Sequence, residues 1–303
     1  MGSLLSVCDI KGDVKYILDL ASKIKAGEME EKPLGGKTLA MIFQKSSTRT
    51  RVSFDVGMYQ LGGRAIFLSS NDLQMGRGEP ISDTAKVLSR FVDGIMIRAI
   101  EHEDVVELAK YSDVPVISGL TNLEHPCQAL ADMLTIKEHF GSFDNKKICF
   151  VGDGNNVCNS LLLIAPLLGM DMSVACPKGY EPNEEILKTA EEFAQENGTE
   201  IVVSDDVSVA LDGVDVVYTD VWVSMGDEAE AKQREIDLAP YQVNQDLMDL
   251  ANDGAIFMHC LPAVRGQEVT SEVIDGAQSV IYDEAENRMH AQKAVLYYYL
   301  KDD

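Results

Sequence analysis

The sequence has few cations for its length and lacks any apolar stretch long enough to cross a bilayer. Its 303 residues include 26 Lys and Arg against 50 Asp and Glu, for a formal net charge of −24 at pH 7. A chain this acidic repels nucleic-acid phosphates and anionic lipid surfaces, so we expect neither as a partner. The longest apolar run, at 161–170, is interrupted by Pro166 and is shorter than the roughly 20 residues of a transmembrane helix.

Paired cysteines and a secretory signal pattern are also missing. The 6 cysteines form no C-x-x-C pair of the kind found in zinc and redox sites, which predicts reduced thiols. The N-terminal apolar stretch at 4–7 has no basic lead-in and does not read as a secretory signal, so we expect a cytoplasmic protein. With 46% apolar and 25% charged residues, the composition is that of a globular protein with ample core material.

Strand patterns alternate with helical patterns along the whole chain. Each short apolar run rich in β-branched residues is followed by an amphipathic segment. The predicted strands form two series, the first at 38–43, 64–68, 94–98 and 114–118 and the second at 147–151, 171–175, 200–204, 214–219, 256–259 and 279–282. This order predicts an α/β fold of two similar domains, each a parallel sheet flanked by helices, with ligands in the cleft between them.

The domain boundary is predicted just after the helix that joins the two series. That helix covers 125–139 and ends at Gly141. Residues 1–140 would then form the first domain and 141–285 the second. The last helix is predicted over 286–300, and its apolar positions indicate that it packs against another element.

A polar turn follows the first predicted strand and precedes a helical pattern over 52–61. It reads Ser-Ser-Thr-Arg-Thr-Arg at 46–51. Free backbone N–H groups at a helix start, hydroxyl donors and a guanidinium group suit a phosphate. The alternative is an N-capped helix with two solvated arginines, and the two interpretations are compatible.

A second polar motif opens the joining helix with His125, Pro126, Cys127 and Gln128. Pro126 suits the first turn of a helix, and His125 and Gln128 lie three residues apart on one side of it. Together they offer donors and an acceptor to a small carbonyl and amide group. Alternatively, His125 is a hydrogen-bonded core residue.

Two further motifs follow strands of the second series. Asp220 begins the segment Asp-Val-Trp-Val-Ser-Met-Gly at 220–226, where it could bind an ammonium group or cap a loop. Cys260 lies in His-Cys-Leu-Pro at 259–262, where it could act as a nucleophile or be a packed thiol.

A glycine turn at 152–156 partly matches a dinucleotide-binding fingerprint. However, Val157 occupies the place of the third glycine, and the strand at 171–175 does not end in an acidic ribose ligand. We interpret the glycines as turn geometry and Asn156 as a substrate contact. A dehydrogenase or nucleotide-binding regulator built on this turn is the alternative from another class.

The motifs together resemble the aspartate/ornithine carbamoyltransferase family over nearly the whole chain. The matching residues are Ser-Thr-Arg-Thr at 47–50, Arg98, His-Pro-Cys-Gln at 125–128, the segment at 220–226, His-Cys-Leu-Pro at 259–262 and Glu-Asn-Arg at 286–288. The resemblance implies transfer of a carbamoyl group from carbamoyl phosphate to the δ-amine of L-ornithine, which yields L-citrulline and phosphate. It also implies no metal or organic cofactor, and a homotrimer or a higher assembly of trimers.

The same resemblance implies a role for each matching residue. Carbamoyl phosphate would be bound by Ser47, Thr48, Arg49, Thr50, Gln74 from a neighbouring subunit, Arg98, His125, Gln128, Leu261 and Arg288. Ornithine would be bound by Asn156, Asp220, Ser224, Met225 and Cys260. The catalytic group would be Arg49, Arg98, His125 and Cys260. The C-terminal helix, 286–303, would pack back on the first domain.

Other acceptors fit these residues less well. Aspartate carries two carboxylates and would require basic residues where this chain has Asp220, Ser224 and Met225. Putrescine lacks an α-carboxylate, and N-acetylornithine would place a neutral amide beside Asp220. A non-catalytic relative that serves as a scaffold is a third possibility.

Overall fold

The structure is a computed structural model that describes residues 2–29, 31–69, 73–223 and 228–302. The chain forms two compact units, one of Met1–Ala131 with Asn287–Asp303 and the other of Asp132–Glu286. It passes from the first unit to the second within the helix Pro126–Phe140 and returns within the helix Ile281–Leu300. Within the described ranges, no helix combines the length and apolarity required to span a membrane.

The first unit is built on a parallel sheet flanked by helices. Its elements are α1 (Val14–Lys25), β1 (Thr38–Phe43), α2 (Thr48–Gln60), β2 (Arg64–Ser69), α3 (Ile81–Leu88), β3 (Gly94–Arg98), α4 (His102–Tyr111), β4 (Val116–Leu120) and the start of α5 (Pro126–Phe140). The strand order is β2-β1-β3-β4. Phe43 of β1 pairs in register with Arg98 of β3, so these strands end side by side. β1 is buried along its whole length, which explains its continuous apolar sequence.

The second unit repeats this architecture. Its elements are β5 (Lys147–Val151), α6 (Asn156–Leu167), β6 (Asp171–Ala175), α7 (Glu184–Asn197), β7 (Ile201–Ser204), α8 (Val207–Leu211), β8 (Val216–Thr219), α9 (Ala231–Leu238), α10 (Gln245–Met248), β9 (Ile256–Met258), α11 (Ser271–Ile274) and the start of α12 (Ile281–Leu300). The parallel strand order is β7-β6-β5-β8-β9. The predicted fold class of two parallel α/β sheets is therefore confirmed.

The prediction of a strand over 279–282 is wrong. Ser279 makes one isolated parallel bridge to Phe257, and α12 begins at Ile281, earlier than the predicted start at 286. Asp283 and Glu284 lie in the first turn of α12, where carboxylates are favoured by the positive end of the helix dipole. The helical start therefore ends the pairing after one bridge.

The C-terminal part of α12 is bound to the first unit by packing and by polar contacts. Ala294, Val295 and Leu296 are fully buried. Tyr298 donates a hydrogen bond from its hydroxyl to Asp13 over 2.9 Å, and Lys293 donates to Gln60 over 2.9 Å. The apolar face expected from the sequence is thus used for docking within this unit.

Candidate active site

The polar turn after β1 forms the capped start of α2. The Ser47 hydroxyl accepts a hydrogen bond from the Thr50 N–H over 3.2 Å, so the helix begins four residues earlier than the predicted 52. The interpretation as a capped helix is confirmed. The remaining N–H groups of a first helical turn have no partner within the helix and point toward its N-terminal end, where an anion would lie.

Arg288 of α12 reaches this turn. Its Nη2 donates to the Thr50 hydroxyl over 2.9 Å, and both side chains are buried. A charged donor therefore binds a residue of the Ser-Thr-Arg-Thr motif from a position 238 residues later in the chain. Arg288 of the 286–288 motif and Thr50 of the 47–50 motif are thus in direct contact.

His125 is a neutral imidazole among positive charges. It is 3% exposed, and its burial, followed by the charges of Arg288, Arg98 and Arg49, holds its pKa well below the usual value. The three guanidinium groups and the imidazole therefore belong to one cluster within the first unit. In a chain of net charge −24, this cluster is a local concentration of positive charge that can attract an anion. Because the imidazole stays neutral, it can donate a hydrogen bond without a net charge.

Two other residues predicted to bind carbamoyl phosphate, Gln128 and Gln74, differ from each other in burial. Gln128 is fully buried in the first turn of α5, and its N–H donates to the His125 carbonyl over 3.0 Å. Gln74 is exposed and begins a short 3₁₀ helix that ends at Arg77. Because the proposed contact of Gln74 is with a neighbouring subunit, its role stays a prediction.

In the second unit, Asp220 directly follows β8 and is 9% exposed. Its carboxylate accepts hydrogen bonds from Asn155 Nδ2 over 2.8 Å, from the Val221 N–H over 2.8 Å and from the Cys260 thiol over 3.1 Å. Two predicted residues, Asp220 and Cys260, are thus in direct contact. Within the described part of the chain, these three donors are an amide, a main-chain N–H and a thiol, all of them uncharged. A carboxylate held in this way can still bind an ammonium group.

Asn155 is a site residue that the sequence reasoning missed. It caps α6 by accepting hydrogen bonds from the N–H groups of Val157 and Cys158, and its amide nitrogen orients Asp220. An asparagine just before a helical pattern is typical of an N-cap, so that signal was present. The predicted contact Asn156 is the first residue of α6 and is partly buried.

The same cap disfavours the dinucleotide alternative. The Asn155 side chain occupies two of the helix N–H groups that a pyrophosphate would need. Gly152 has a φ of 126°, and a Cβ on Gly154 would lie 2.4 Å from the Pro182 nitrogen. The glycines therefore serve a positive φ and a close backbone approach, as the sequence interpretation expected.

The predicted residues Ser224 and Met225 lie outside the residues that the structure describes. The described segment before them is firmly held: Trp222 is buried, and its carbonyl accepts from Arg234 over 3.3 Å. Arg234 also forms an ion pair of 2.7 Å with Asp153. The start of the 220–226 segment is thereby joined to the turn after β5.

Cys260 is a protonated thiol. It is 8% exposed, and burial together with the Asp220 carboxylate raises its pKa well above the usual value. The hydrogen bond to Asp220 also requires the thiol proton. Because the thiolate is the nucleophilic form, the environment opposes covalent catalysis by this residue.

We expect Cys260→Ala to raise KM for the amine acceptor several-fold and to lower kcat less than about 10-fold, because a positioning contact is lost and no nucleophile is removed. Steady-state kinetics would measure both constants. Cys260→Ser restores a donor to Asp220 and should lie closer to the unmodified enzyme, and Cys8→Ala, at an exposed cysteine, should change neither constant. A carbamoyl thioester on Cys260 in quenched samples would contradict this view.

A buried carboxyl pair, which the sequence reasoning did not find, lies beside the 259–262 motif. Glu284 is fully buried and accepts from the Tyr218 hydroxyl over 3.1 Å and from the His259 N–H over 2.9 Å. It also hydrogen-bonds Asp132, and burial raises the pKa of Glu284 to about 7. Burial therefore keeps Glu284 protonated to a higher pH than an exposed glutamate.

We predict that Glu284→Gln gains stability relative to the unmodified protein as the pH rises from about 4.5 to 7. A carboxyl group with a raised pKa in the folded state stabilises the fold fully below its unfolded pKa and loses this effect as the pH rises, by on the order of 2 kcal/mol here. The amide that replaces it does not titrate. Denaturant unfolding across this pH range would measure the difference, and Glu191→Gln, at an exposed site on α7, is the control. A difference between Glu284→Gln and the unmodified protein that stays constant with pH would count against a raised pKa of Glu284 in the folded state.

Potential metal ligands also meet in this unit. The ligand atoms of Asp220, His259 and Cys260 lie within 4.8 Å of one another. Both ring nitrogens of His259 are already hydrogen-bonded, Nδ1 to the Leu261 N–H and Nε2 to Glu268. A metal would have to replace one of these bonds and deprotonate the thiol, so the geometry favours a hydrogen-bonded cluster.

Comparisons with known proteins find matches over nearly the whole chain. A family model for the aspartate/ornithine carbamoyltransferase carbamoyl-P binding domain matches residues 3–138, and one for the Asp/Orn binding domain matches 144–299. An ornithine carbamoyltransferase from Methanobrevibacter smithii is 79% identical over 99% of this chain and 100% of its own length.

Solved structures also match over nearly the whole chain. The ornithine carbamoyltransferase from Pyrococcus furiosus is 52% identical, with a TM-score of 0.95 over 98% of this chain and 96% of that one. An acetylornithine transcarbamylase complexed with acetylcitrulline is 33% identical, with a TM-score of 0.90 over 100% of both chains. A related fold is therefore compatible with a different acceptor, and the acceptor must be argued from the site.

Proposed function

The chain belongs to the aspartate/ornithine carbamoyltransferase family, and on that premise we propose that it transfers the carbamoyl group of carbamoyl phosphate to the δ-amine of L-ornithine. The products are L-citrulline and phosphate. The choice of carbamoyl phosphate as the donor substrate rests on one observation, the cluster of three arginines around the neutral, buried His125. The identity of 79% with the M. smithii ornithine carbamoyltransferase supports the choice of acceptor.

Carbamoyl phosphate binds with its phosphate at the start of α2, held by Ser47, Thr48, Arg49 and Thr50. Arg98, His125 and Thr50 donate to the carbonyl oxygen, on which negative charge develops as the amine attacks. Donors that are already oriented lower the barrier at this step without reorganisation. Arg288 supports this set through Thr50, which it contacts directly. Gln128 and the main chain of Leu261 bind the carbamoyl amide nitrogen, and Gln74 of a neighbouring subunit completes the donor site.

Ornithine binds with its α-ammonium group at Asp220, the carboxylate that Asn155 and Cys260 orient. Asn156, Ser224 and Met225 bind the rest of the amino-acid end, and Cys260 lies near the δ-nitrogen. The neutral δ-amine attacks the carbonyl carbon, and the bond from that carbon to the phosphate oxygen then breaks. The phosphate leaves with the bonding electron pair, and the δ-nitrogen releases one proton to it or to solvent. The reaction needs no metal or organic cofactor in this scheme.

Residues 1–140, with the returning segment 286–303, form the donor-binding domain in this proposal, and 141–285 form the acceptor-binding domain. The enzyme acts in the cytoplasm as a homotrimer or a higher assembly of trimers. One observation supports an interface on the first unit: the edge strand β2 leaves Ile66 39% and Phe67 38% exposed, and Tyr59 of α2 is 80% exposed. Exposed apolar side chains on an edge strand are typical of contact surfaces.

The test is citrulline and phosphate formation with ornithine, putrescine, aspartate and N-acetylornithine as separate acceptors, each corrected for spontaneous decay of carbamoyl phosphate. Ornithine should exceed every other acceptor. If another acceptor is preferred, the donor site stands and the interpretation of Asp220 is wrong. If a folded sample uses none of them, the scaffold alternative replaces the enzyme.

The pH profile provides a further prediction. We expect the rate at limiting ornithine to rise with pH because the δ-ammonium group must lose its proton before attack. The titration of His125 should not change the rate near the usual pKa of histidine, because His125 is neutral in the folded enzyme across this range. Initial rates from about pH 6 to 9 would test both points, and a flat profile would contradict the requirement for a free amine.

A further inference from the structure

The His-Cys-Leu-Pro segment contains an unusual backbone conformation. Leu261 has a φ of 57°, in the left-handed region that non-glycine residues avoid. Holding a residue there costs roughly as much as one good hydrogen bond, so the conformation persists only where surrounding contacts enforce it. The contacts around Leu261 therefore identify the residues that hold this conformation.

His259 supplies the enforcing contact. Its Nδ1 accepts a hydrogen bond from the Leu261 N–H over 2.9 Å. A backbone N–H can only donate, so Nδ1 carries no proton and the ring proton is on Nε2. That nitrogen faces Glu268 Oε1 at 3.2 Å, and both side chains are fully buried. The carboxylate thus selects the tautomer that can accept from Leu261.

Both ends of this arrangement are anchored. Glu268 Oε1 also accepts from the Val264 N–H over 2.5 Å, which ties the carboxylate to the chain that leaves the motif. Glu284 accepts from the His259 N–H over 2.9 Å, which holds the start of the motif. His259 is therefore fixed at its backbone and at both ring nitrogens.

We infer that His259, oriented by Glu268, is a positioning residue that fixes the main chain of Leu261 before substrate binds. The inference rests on the proposed function, in which that main chain binds the carbamoyl amide nitrogen. His259 itself touches no substrate in this scheme. Its effect is to keep the Leu261 peptide in one of its rarer conformations, so that the peptide does not have to be reoriented in each catalytic cycle.

Two substitutions separate this role from simple packing. In His259→Asn, Oδ1 lies two bonds from Cβ, as Nδ1 does, and can accept from the Leu261 N–H. In His259→Gln, the terminal atoms lie three bonds from Cβ, as Nε2 does, so the contact with Glu268 is kept and the Leu261 acceptor is lost. Both variants remove the ring and should lower the unfolding midpoint alike.

We expect His259→Asn to retain kcat/KM for carbamoyl phosphate within about 3-fold, and His259→Gln to lose roughly 10- to 100-fold. Equal losses in the two variants, or a smaller loss for His259→Gln, would overturn the inference. If the unmodified protein forms no citrulline, the proposed function fails. If it is active and the two variants behave alike, only the role of His259 fails.

Amide hydrogen exchange at Leu261 gives a readout that does not depend on activity. The N–H should exchange slowly in the unmodified protein and in His259→Asn, and at least about 10-fold faster in His259→Gln. If His259→Gln does not fold, Glu268→Gln and Glu268→Leu replace the pair. Glu268→Gln keeps an acceptor for Nε2 and should protect the amide, and Glu268→Leu should not. Equal protection in those two variants would also refute the inference.

Discussion

Replacing Arg49 with glutamine is expected to lower kcat/KM for carbamoyl phosphate by about 1,000-fold. Arg49 is one of two arginines in the first turn of α2, and its charge contributes to the lowered pKa of His125. In the proposed site, the substitution removes a cation beside the phosphate, on which negative charge grows as its bond to the carbonyl carbon breaks. Because the transition state should lose more binding free energy than the bound substrate, the effect should appear mainly in kcat.

The measurement is steady-state kinetics with carbamoyl phosphate varied at saturating ornithine. Arg90→Gln, which removes an exposed arginine next to α3, is the matched control and should change the constants less than about 2-fold, because solvent screens its charge. The pKa of His125 should also rise in Arg49→Gln, since one of three neighbouring positive charges is lost. A variant that loses less than about 10-fold would remove Arg49 from the catalytic group.

Replacing Asp220 with asparagine is expected to lower kcat/KM for ornithine by about 100- to 1,000-fold and to leave the binding of carbamoyl phosphate unchanged. Asparagine has nearly the same shape, so the change removes the charge opposite the α-ammonium group. Asparagine also places an amide nitrogen, which can only donate, opposite Asn155 or Cys260. Both of these residues donate a hydrogen bond to Asp220 in the unmodified protein, so one of the two bonds is lost.

Asp215→Asn is the matched control for this variant. Asp215 and Asp220 flank β8 at its two ends and are equally buried, at 9% exposure each. Asp215 accepts from Lys146 Nζ and from the Lys147 N–H, each over 3.1 Å, so its loss should lower stability and spare the kinetic constants. Similar kinetic losses in both variants would indicate a general defect of the fold and would refute the proposed role of Asp220.

Much of the architecture could be predicted from local patterns. The predicted bounds are correct for four strands, β1, β3, β5 and β6. Each is a continuous apolar run bounded by turn residues, and the formation of such a strand depends on residues that are close in sequence. The 279–282 segment was mispredicted because its apolar residues fit a strand. A helix forms there instead, since the acidic first turn and the packing of the later turns stabilise α12.

The roles of the motifs were less predictable than their positions. Ser47 as a cap and Asp220 at the end of a strand follow from local rules. Asn155 was missed although it carried a capping signal, and Glu268 and Glu284 were missed because nothing next to them in the sequence marks a buried carboxyl group. Their partners lie 9 and 25 residues away at His259.

The sequence by itself determined the strand and helix order, the places where polar residues follow strands, and the family to which these motifs belong. The tertiary structure alone decided the shifted pKa values: the lowered pKa of His125 and the raised pKa values of Cys260 and Glu284. The reason is that strand and helix patterns depend on near neighbours. Desolvation and Coulomb interactions depend on groups that are distant in sequence, such as Arg288 beside His125, and these meet only when the chain is folded.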